Sequence, residues 1–284
     1  MTDLTVQGQV QAKAKIEEKT DCVKPLAESN KNTGNGVINS IRLDKTALVF
    51  GQSEDDISKE FKEFKALKLF KRVDSDLTSV RDNFVLKQKI EETLKYGFGN
   101  VVVNPRQVRD AKRYARGKNI GVYAAVCYPY GEELYGIKRY AVKRAFQEGA
   151  DGVYLPLGLV DLKNGRIELV KKELIKIVKK YRKKKIFIVL EMSEMNFALA
   201  EKTVKFLLKA RVSGIVAGSG YSALSKPFAG ASDLHSLSGG KSTVVACTST
   251  EKSRDVVSLF SVADRVFLKN APKIALDLKA NLEF

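Results

Sequence analysis

The sequence has 284 residues, 44% of them hydrophobic and 29% charged, which is enough apolar material for one large α/β domain or two small ones. Lys and Arg number 50 against 33 Asp and Glu, and the formal net charge of +17 favours anionic partners such as sugar phosphates, nucleic acid or membrane headgroups. Three scattered cysteines and one histidine disfavour a disulfide framework and a Cys/His zinc site, so we predict no metal and no cofactor.

The apolar runs of the sequence are short. None approaches the roughly 18–20 residues that a membrane span requires, and the N-terminal segment lacks the apolar core of a signal peptide. Together with the wide spacing of the cysteines, this predicts a cytoplasmic protein with no membrane attachment.

The first 71 residues differ in composition from the rest. Residues 1–45 are polar and end in a Gly/Asn/Ser-rich stretch, which predicts a flexible tail. Residues 46–71 predict a short strand and then a helix that packs on the following domain. The helix has Ser53 as its N-cap, and its apolar face consists of Ile57, Phe61, Phe64, Leu67 and Phe70.

Over residues 72–284, short apolar runs alternate eight times with amphipathic helical segments. Near-continuous apolar strands are typical of a parallel sheet covered by helices. Eight strand–helix units in a segment of this length fit a (β/α)₈ TIM barrel better than an open doubly wound sheet. In such barrels the active site lies at the carboxyl ends of the strands.

Four polar side chains at or near these strand ends are candidates for the lining of a pocket. Asp74 and Asp76 alternate on the first strand and point to the same face, so both can reach the mouth, or one can pair with a nearby Lys or Arg. Asn104 follows the second strand. Glu191 ends an apolar strand, where it can act as general acid or base, orient a cation, or cap a loop amide.

The segment GIVAGSGYSA predicts a tight turn that can hold a phosphate. Gly218, Ser219 and Gly220 offer backbone N–H groups and a hydroxyl at a strand end, although three small residues also make an ordinary turn. Lys269 and Asn270 end the eighth strand, and barrels often bind phosphate at the loops after their late strands.

Several segments, in the same order, resemble deoxyribose-phosphate aldolase, a class I aldolase built on a (β/α)₈ barrel. VDSDL resembles the family's first-strand I-D-H-T-L, and YGFGNVVVNP resembles its G-F-x-x-V-C-V-N-P. IFIVLEM is similar to K-V-I-L-E-T, and GIVAGSGY is similar to F-I-K-T-S-T-G-F. The resemblance covers about residues 72–270 and rests on the order of the segments, since no single one is specific.

The resemblance implies that the family's reactive residues have been replaced. The lysine that forms a Schiff base matches Val216, a second lysine that lowers the pKa of the first matches Ala246, and the relay aspartate of the fourth strand matches Tyr154. Valine cannot form an imine, so we expect class I aldolase activity to be lost. Asp74 and Glu191 match retained residues.

The family's phosphate-binding residues are kept in part. Gly218 and Gly220 retain the tight turn after the sixth strand, and Ser249 stands where the family has the first of two glycines. Lys269 and Asn270 match serines of the eighth strand and would replace hydroxyl donors with a charge. The resemblance therefore implies a phosphate site of altered composition.

Three functions remain open at this point. The first is a non-catalytic relative that binds a phosphorylated metabolite or serves as a subunit, a homo-oligomer included. The second is an active aldolase or other lyase on a sugar phosphate, with a relocated lysine such as Lys226 or Lys269. The third is an anion- or nucleic-acid-binding protein that uses the barrel as a scaffold, which the net charge of +17 and the extra N-terminal region allow.

Overall fold

Eight parallel strands pair in chain order and close on themselves, with the first strand bonded to both the second and the eighth. This confirms the predicted TIM barrel. The strands are β1 (Val73–Asp76), β2 (Asn100–Val103), β3 (Gly121–Ala125), β4 (Gly152–Pro156), β5 (Lys185–Leu190), β6 (Gly214–Ala217), β7 (Thr243–Thr248) and β8 (Arg265–Leu268).

The structure is a computed structural model that describes residues 69–269 and 271–280. The tail predicted for residues 1–45, and the strand and most of the helix predicted for residues 46–71, lie outside the described residues. In the described ranges, no helix is both long and apolar enough to cross a membrane.

Helices follow the strands and cover the outside of the barrel. The first, α1 (Asn83–Tyr96), begins at Asp82, whose carboxylate accepts two backbone N–H groups, and ends at Gly97 in the left-handed conformation. The others are α2 (Val108–Tyr114), α3 (Tyr135–Gln147), α4 (Leu159–Lys163), α5 (Ile167–Lys180), α6 (Phe197–Ala210), α7 (Pro227–Ser238), α8 (Ser253–Leu259) and α9 (Ala271–Ala280).

The strands divide their side chains between two apolar layers, because successive residues of a strand point to opposite faces. One layer packs under the helices, as Ile188, Ile215 and Val244 do. The other layer fills the interior of the barrel and consists of Val102, Tyr123, Ala125, Tyr154, Phe187, Val189, Val216, Val245, Cys247 and Phe267.

Aromatic rings occupy the middle of the interior. The ring of Tyr154 stacks on Phe187 with their centroids 5.2 Å apart, and it lies 5.0 Å from the ring of Phe267. Tyr123 meets both Tyr154 and Phe187 edge-on. Tyr128, which follows β3, reaches Phe267 with ring centroids 6.4 Å apart. At this level the barrel interior is a packed aromatic core.

Candidate functional site

A buried polar cluster lies at the carboxyl ends of the strands, where TIM barrels carry their active sites. Asp76 ends β1 and Glu191 directly follows β5, and these residues are only 4% and 5% exposed. The charges of both carboxylates, and that of Lys269 after β8, act on the thiol of Cys247 in β7. The four groups therefore lie within electrostatic reach of a common point, and we name them the mouth cluster.

Each carboxylate of the mouth cluster has one bonded oxygen and one without a partner. Oδ1 of Asp76 accepts the amide of Thr78 at 2.8 Å, and Oε1 of Glu191 accepts the amide of Ser219 at 2.8 Å. Oδ2 of Asp76 and Oε2 of Glu191 are buried and have no hydrogen-bond donor among the described residues. Two such acceptors can be satisfied by the hydroxyl or amino hydrogens of a ligand, or by water.

Burial has a direct effect on the protonation of this cluster. It raises the pKa of Asp76, and the hydrogen bonds from Thr78 and the positive charge of Lys269 oppose that rise in part. Burial likewise raises the pKa of Cys247, with a further contribution from the Asp76 carboxylate, so the thiol stays protonated at neutral pH. Cys247 is therefore a poor nucleophile in this setting.

The turn after β6 has the tight backbone that its glycines predict. Gly218 and Gly220 have φ angles of +101° and +74°, in the left-handed region that favours glycine. Its amides serve the protein itself: the amide of Ser219 donates to Glu191, and the amide of Tyr221 donates to Oγ of Ser219 at 3.2 Å. Glu191 thus occupies the amide at which the sequence predicts a phosphate.

Lys269 supplies the ammonium group of the mouth cluster. Its Nζ donates to the carbonyl oxygen of Gly220 at 3.0 Å and lies 3.6 Å from the centre of the Tyr221 ring. Tyr221 is 42% exposed and meets Tyr128 edge-on. The hydroxyl of Tyr128 donates to the carbonyl oxygen of Ser219. These contacts hold the ammonium group at the solvent-facing edge of the cluster.

Asp74 belongs to a different network, toward the amino ends of the strands. Both of its oxygens accept from the guanidinium of Arg265, and it also accepts from Asn100 and, at 2.6 Å, from the hydroxyl of Tyr154. Asn100 and Arg265 are the first residues of β2 and β8. Of the two alternatives that the sequence leaves for Asp74, the structure shows the pairing with a cation.

The position that matches the family's Schiff-base lysine lies inside the barrel. Val216 is fully buried, and its register partners Val189 and Val245 also point inward. Tyr154, at the relay position, donates to Asp74. Burial, and then the charge of Asp74, raise the pKa of the Tyr154 hydroxyl well above its ordinary value, so it stays a donor at neutral pH.

The placement of Ala246 corrects the comparison made from the sequence. Ala246 belongs to the layer under the helices, whereas its neighbours Val245 and Cys247 point into the barrel. A shift of one residue along a strand reverses the face of the side chain. The inward positions of β7 nearest Val216 are therefore Val245 and Cys247, and neither supplies an amine.

The remaining candidates have separate placements. The side-chain amide of Asn104 donates to the carbonyl oxygen of Thr78 at 2.7 Å, which ties the loop after β2 to the loop after β1. Lys226 is exposed next to the first residue of α7, and Ser249 is exposed after β7. Asn270 lies outside the described residues.

Arg265 is the charged neighbour of Asp74 that sequence reasoning missed. It opens the apolar strand RVFLKN, and an arginine at the start of an apolar barrel strand is a signal of a buried counter-charge. The counter-charge, Asp74, lies 191 residues away in the sequence. The pair becomes visible only when the eighth strand is known to close against the first.

Curated proteins similar to this chain include deoxyribose-phosphate aldolases. No protein-family model matches the chain. A deoxyribose-phosphate aldolase of Caldicellulosiruptor saccharolyticus is 27% identical over 140 residues, which cover 48% of this chain and 64% of the relative. Another, of Clostridium botulinum, is 33% identical over 127 residues, which cover 44% of this chain and 59% of the relative. The chain thus spans about 60% of the length of these relatives.

Solved structures agree in fold. A structure described as "QR15, an Aldolase" superposes with a TM-score of 0.70 at 19% identity, covering 76% of this chain and 98% of that one. A tetrameric deoxyribose phosphate aldolase from Aeropyrum pernix also gives 0.70 at 19% identity, covering 81% and 99%. These structures and the closed sheet therefore agree on a TIM barrel fold for this chain. The chain is homologous to the deoxyribose-phosphate aldolases, as its sequence motifs predict.

Proposed function

We propose that this chain is an aldolase-like barrel without Schiff-base aldolase activity, and that its mouth binds a phosphorylated small molecule. The surroundings of Val216 carry the first half of the proposal. Inward-pointing valines stand on both neighbouring strands, and the aromatic core fills the space next to them. An imine needs a reactive amine and room for the aldehyde carbon, and this interior is built of packed apolar groups.

The mouth cluster supports one orientation of the ligand. The unpartnered oxygens of Asp76 and Glu191 accept hydroxyl hydrogens, so the polyol part of the ligand points inward. A phosphate placed there would meet two carboxylates, whereas Lys269 at the edge offers a positive charge. We therefore place the phosphate outward, at Lys269, and away from the Ser219 amide predicted from the sequence.

A second candidate function is a sugar-phosphate lyase that uses a relocated lysine. One observation favours it: Lys269 lies in the mouth cluster, within electrostatic reach of Asp76. Its Nζ is engaged with the carbonyl of Gly220 and the ring of Tyr221, and both contacts would have to break before it could attack a carbonyl carbon. Lys226, the other candidate, is exposed.

Assembly into a homo-oligomer is part of the same proposal. The neighbour from Aeropyrum pernix is described as tetrameric. In this chain Leu134, Ile137 and Tyr140 follow one another at spacings of three along α3 and its N-cap, and they are 78%, 54% and 63% exposed. Apolar side chains exposed side by side are typical of a contact surface.

Borohydride trapping tests the loss of Schiff-base chemistry. The pure protein is incubated with deoxyribose 5-phosphate or acetaldehyde, reduced with borohydride and weighed by intact mass spectrometry. We expect no added mass, while an active relative treated in parallel gains the mass of the reduced adduct.

An adduct on one lysine would overturn the proposal and establish the relocated lysine. Peptide mapping would then name the residue. The variant Lys269→Arg is the matched control, because it keeps the positive charge and removes the amine that forms the imine.

A further inference from the structure

A cavity of about 480 Å³ lies at the amino end of the barrel, opposite the mouth cluster. Its position follows from its lining residues, four of which are the first residues of strands. These are Asn100 of β2, Lys185 of β5, Thr243 of β7 and Arg265 of β8, and Gly99, which also lines the cavity, directly precedes β2. This volume is in the range of sites for small metabolites. None of the functions considered above uses this cavity.

Two aromatic rings separate the cavity from the barrel interior. Tyr123 and Phe187 line the cavity and also belong to the interior core. Glycines at the strand starts make room for these rings: a Cβ atom at Gly152 would lie 2.3 Å from the ring of Tyr123, and one at Gly214 would lie 2.6 Å from the ring of Phe187. The base of the cavity is therefore closely packed.

The charged groups of the lining are cations. Arg265 is paired with Asp74 behind it, whereas Lys71 and Lys185 have no ion-pair partner in the described part of the chain. Burial, and then the charge of Asp74, raise the pKa of Tyr123 to about 12, so its hydroxyl remains a hydrogen-bond donor. Within the described ranges no carboxylate lines the cavity directly.

The rim of the same end adds further positive charge. Arg116 and Lys118 precede β3, Lys183 and Lys184 precede β5, and Lys241 precedes β7, and all five are exposed. Helix carboxyl ends on this side carry partial negative charge, which the lysines in the last turns of α1 and α5 offset. The rim cations stand in the loops before the strands and come in addition to those lysines.

We propose that this cavity is a binding site for a small phosphate-bearing anion, with Lys71 and Lys185 as its charged ligands. The side-chain amide of Asn100 and the hydroxyl of Tyr123 supply neutral polar groups in the same lining. The cavity is half open to solvent and its two lysines are exposed; its volume of about 480 Å³ fits a small ligand, whereas nucleic acid would use the rim. The site is separate from the mouth cluster and does not depend on the function proposed there.

The test is calorimetric titration of the pure protein with inorganic pyrophosphate at constant ionic strength, set with chloride. We expect the double variant Lys71→Ala/Lys185→Ala to bind pyrophosphate about tenfold more weakly or worse, because two charge-assisted contacts are lost. The matched control is Lys143→Ala/Lys172→Ala, which removes the same charge from exposed positions of α3 and α5. Circular dichroism confirms that both variants are folded.

Because Lys269 is the phosphate ligand proposed for the mouth, the double variant is also made in a Lys269→Ala background, and we expect the same tenfold loss of pyrophosphate binding there. Equal losses in the test and control variants would show unspecific charge attraction and overturn the proposal. No loss from the double variant in that background, or no pyrophosphate binding at all, would overturn it as well. The proposal would also be overturned if the double variant no longer bound a short single-stranded oligonucleotide but still bound pyrophosphate. That result would assign the cations to nucleic acid.

Discussion

Asp74 and Asp76 stand two residues apart on β1, and their partners differ completely. The carboxylate of Asp74 is fully matched by the guanidinium of Arg265, by Asn100 and by Tyr154. Removing one partner of such a buried pair costs about 3–5 kcal/mol, because the other charge stays behind without compensation. The carboxylate of Asp76 has an oxygen without any donor in the described structure. Asp74 is therefore satisfied within the described structure, whereas Asp76 keeps one unpartnered oxygen, which the proposed function assigns to a ligand.

The raised pKa of Asp76 has a measurable effect on stability. A carboxyl group whose folded pKa lies above its unfolded value of 3.8 binds its proton more tightly in the folded state. Ionisation of the buried group therefore lowers the stability of the folded protein. This loss of stability is absent at low pH and grows as pH rises from the unfolded pKa to the folded pKa. We predict that Asp76→Asn is more stable than the wild type at neutral pH. Urea denaturation across the pH range measures the difference.

The same measurement has an internal reference at low pH. Below about pH 3.8 the two proteins should be equally stable, because Asp76 is then protonated in both states. The variant Asp233→Asn, which removes an exposed carboxylate from α7, controls for the change in net charge. A stability difference between Asp76→Asn and the wild type that is independent of pH would contradict the assignment.

The sequence could not decide between these two aspartates. Their alternation on one strand predicts a common face, but the pairing of Asp74 depends on Arg265, 191 residues further along. Strand order supplies this information, and strand order comes from the closed sheet. The same is true of Glu191, for which the sequence allows an amide cap or a catalytic role, and the contact with Ser219 shows the cap.

At the scale of elements, three strands begin with glycine, and the structure gives the reason. Gly121, Gly152 and Gly214 are the first residues of β3, β4 and β6. At Gly152 and Gly214 the rings of Tyr123 and Phe187 occupy the space, and at Gly121 the side-chain oxygen of Asn100 occupies it together with the ring of Tyr123. These glycines therefore allow close packing, since their φ angles are not among the positive ones.

We predict that Gly214→Ala destabilises the barrel by about 1–3 kcal/mol, the usual cost of overpacking a core. The added Cβ would lie 2.6 Å from the ring of Phe187 and 2.9 Å from the carbonyl oxygen of Thr243, so ring and backbone must both shift. Chemical denaturation measures the change. Gly136→Ala in α3 is the matched control, because a Cβ there meets nothing within 4 Å. Equal stability of the two variants would refute the packing argument.

The eight strand–helix units could be read from the sequence because apolar runs and amphipathic segments alternate with a clear period. The sequence did not show which residues of each strand point into the barrel and which point toward the helices. The match of Ala246 to a family lysine is one residue away from the inward positions Val245 and Cys247. In a strand buried on both faces nearly every residue is apolar, so the pattern does not show which side chains point inward.

At the scale of the whole molecule, the barrel separates two polar ends by an apolar middle. The mouth cluster occupies one end and the cation-lined cavity occupies the other, while stacked rings around Tyr154 fill the space between them. A class I aldolase needs its amine in that middle layer, according to the resemblance that places it at Val216. In the function proposed above, the valine at this position and the filled interior belong to the same packing.

This packing predicts that returning the lysine alone does not restore aldolase chemistry. In Val216→Lys the ammonium would lie among Val189, Val245 and the interior rings, so burial should lower its pKa and destabilise the folded protein. Val216→Met is the matched control, a long unbranched side chain with no charge.

The two variants should differ in how their stability depends on pH. A buried lysine whose folded pKa is lowered destabilises the folded protein as pH falls below the unfolded pKa of about 10.4, so the lysine variant should become less stable than the methionine variant toward neutral pH. Thermal unfolding from alkaline to neutral pH measures the gap, and borohydride trapping of the lysine variant should give no adduct. Equal stability at every pH, together with a reduced adduct at position 216, would show instead that the interior opens to admit substrate.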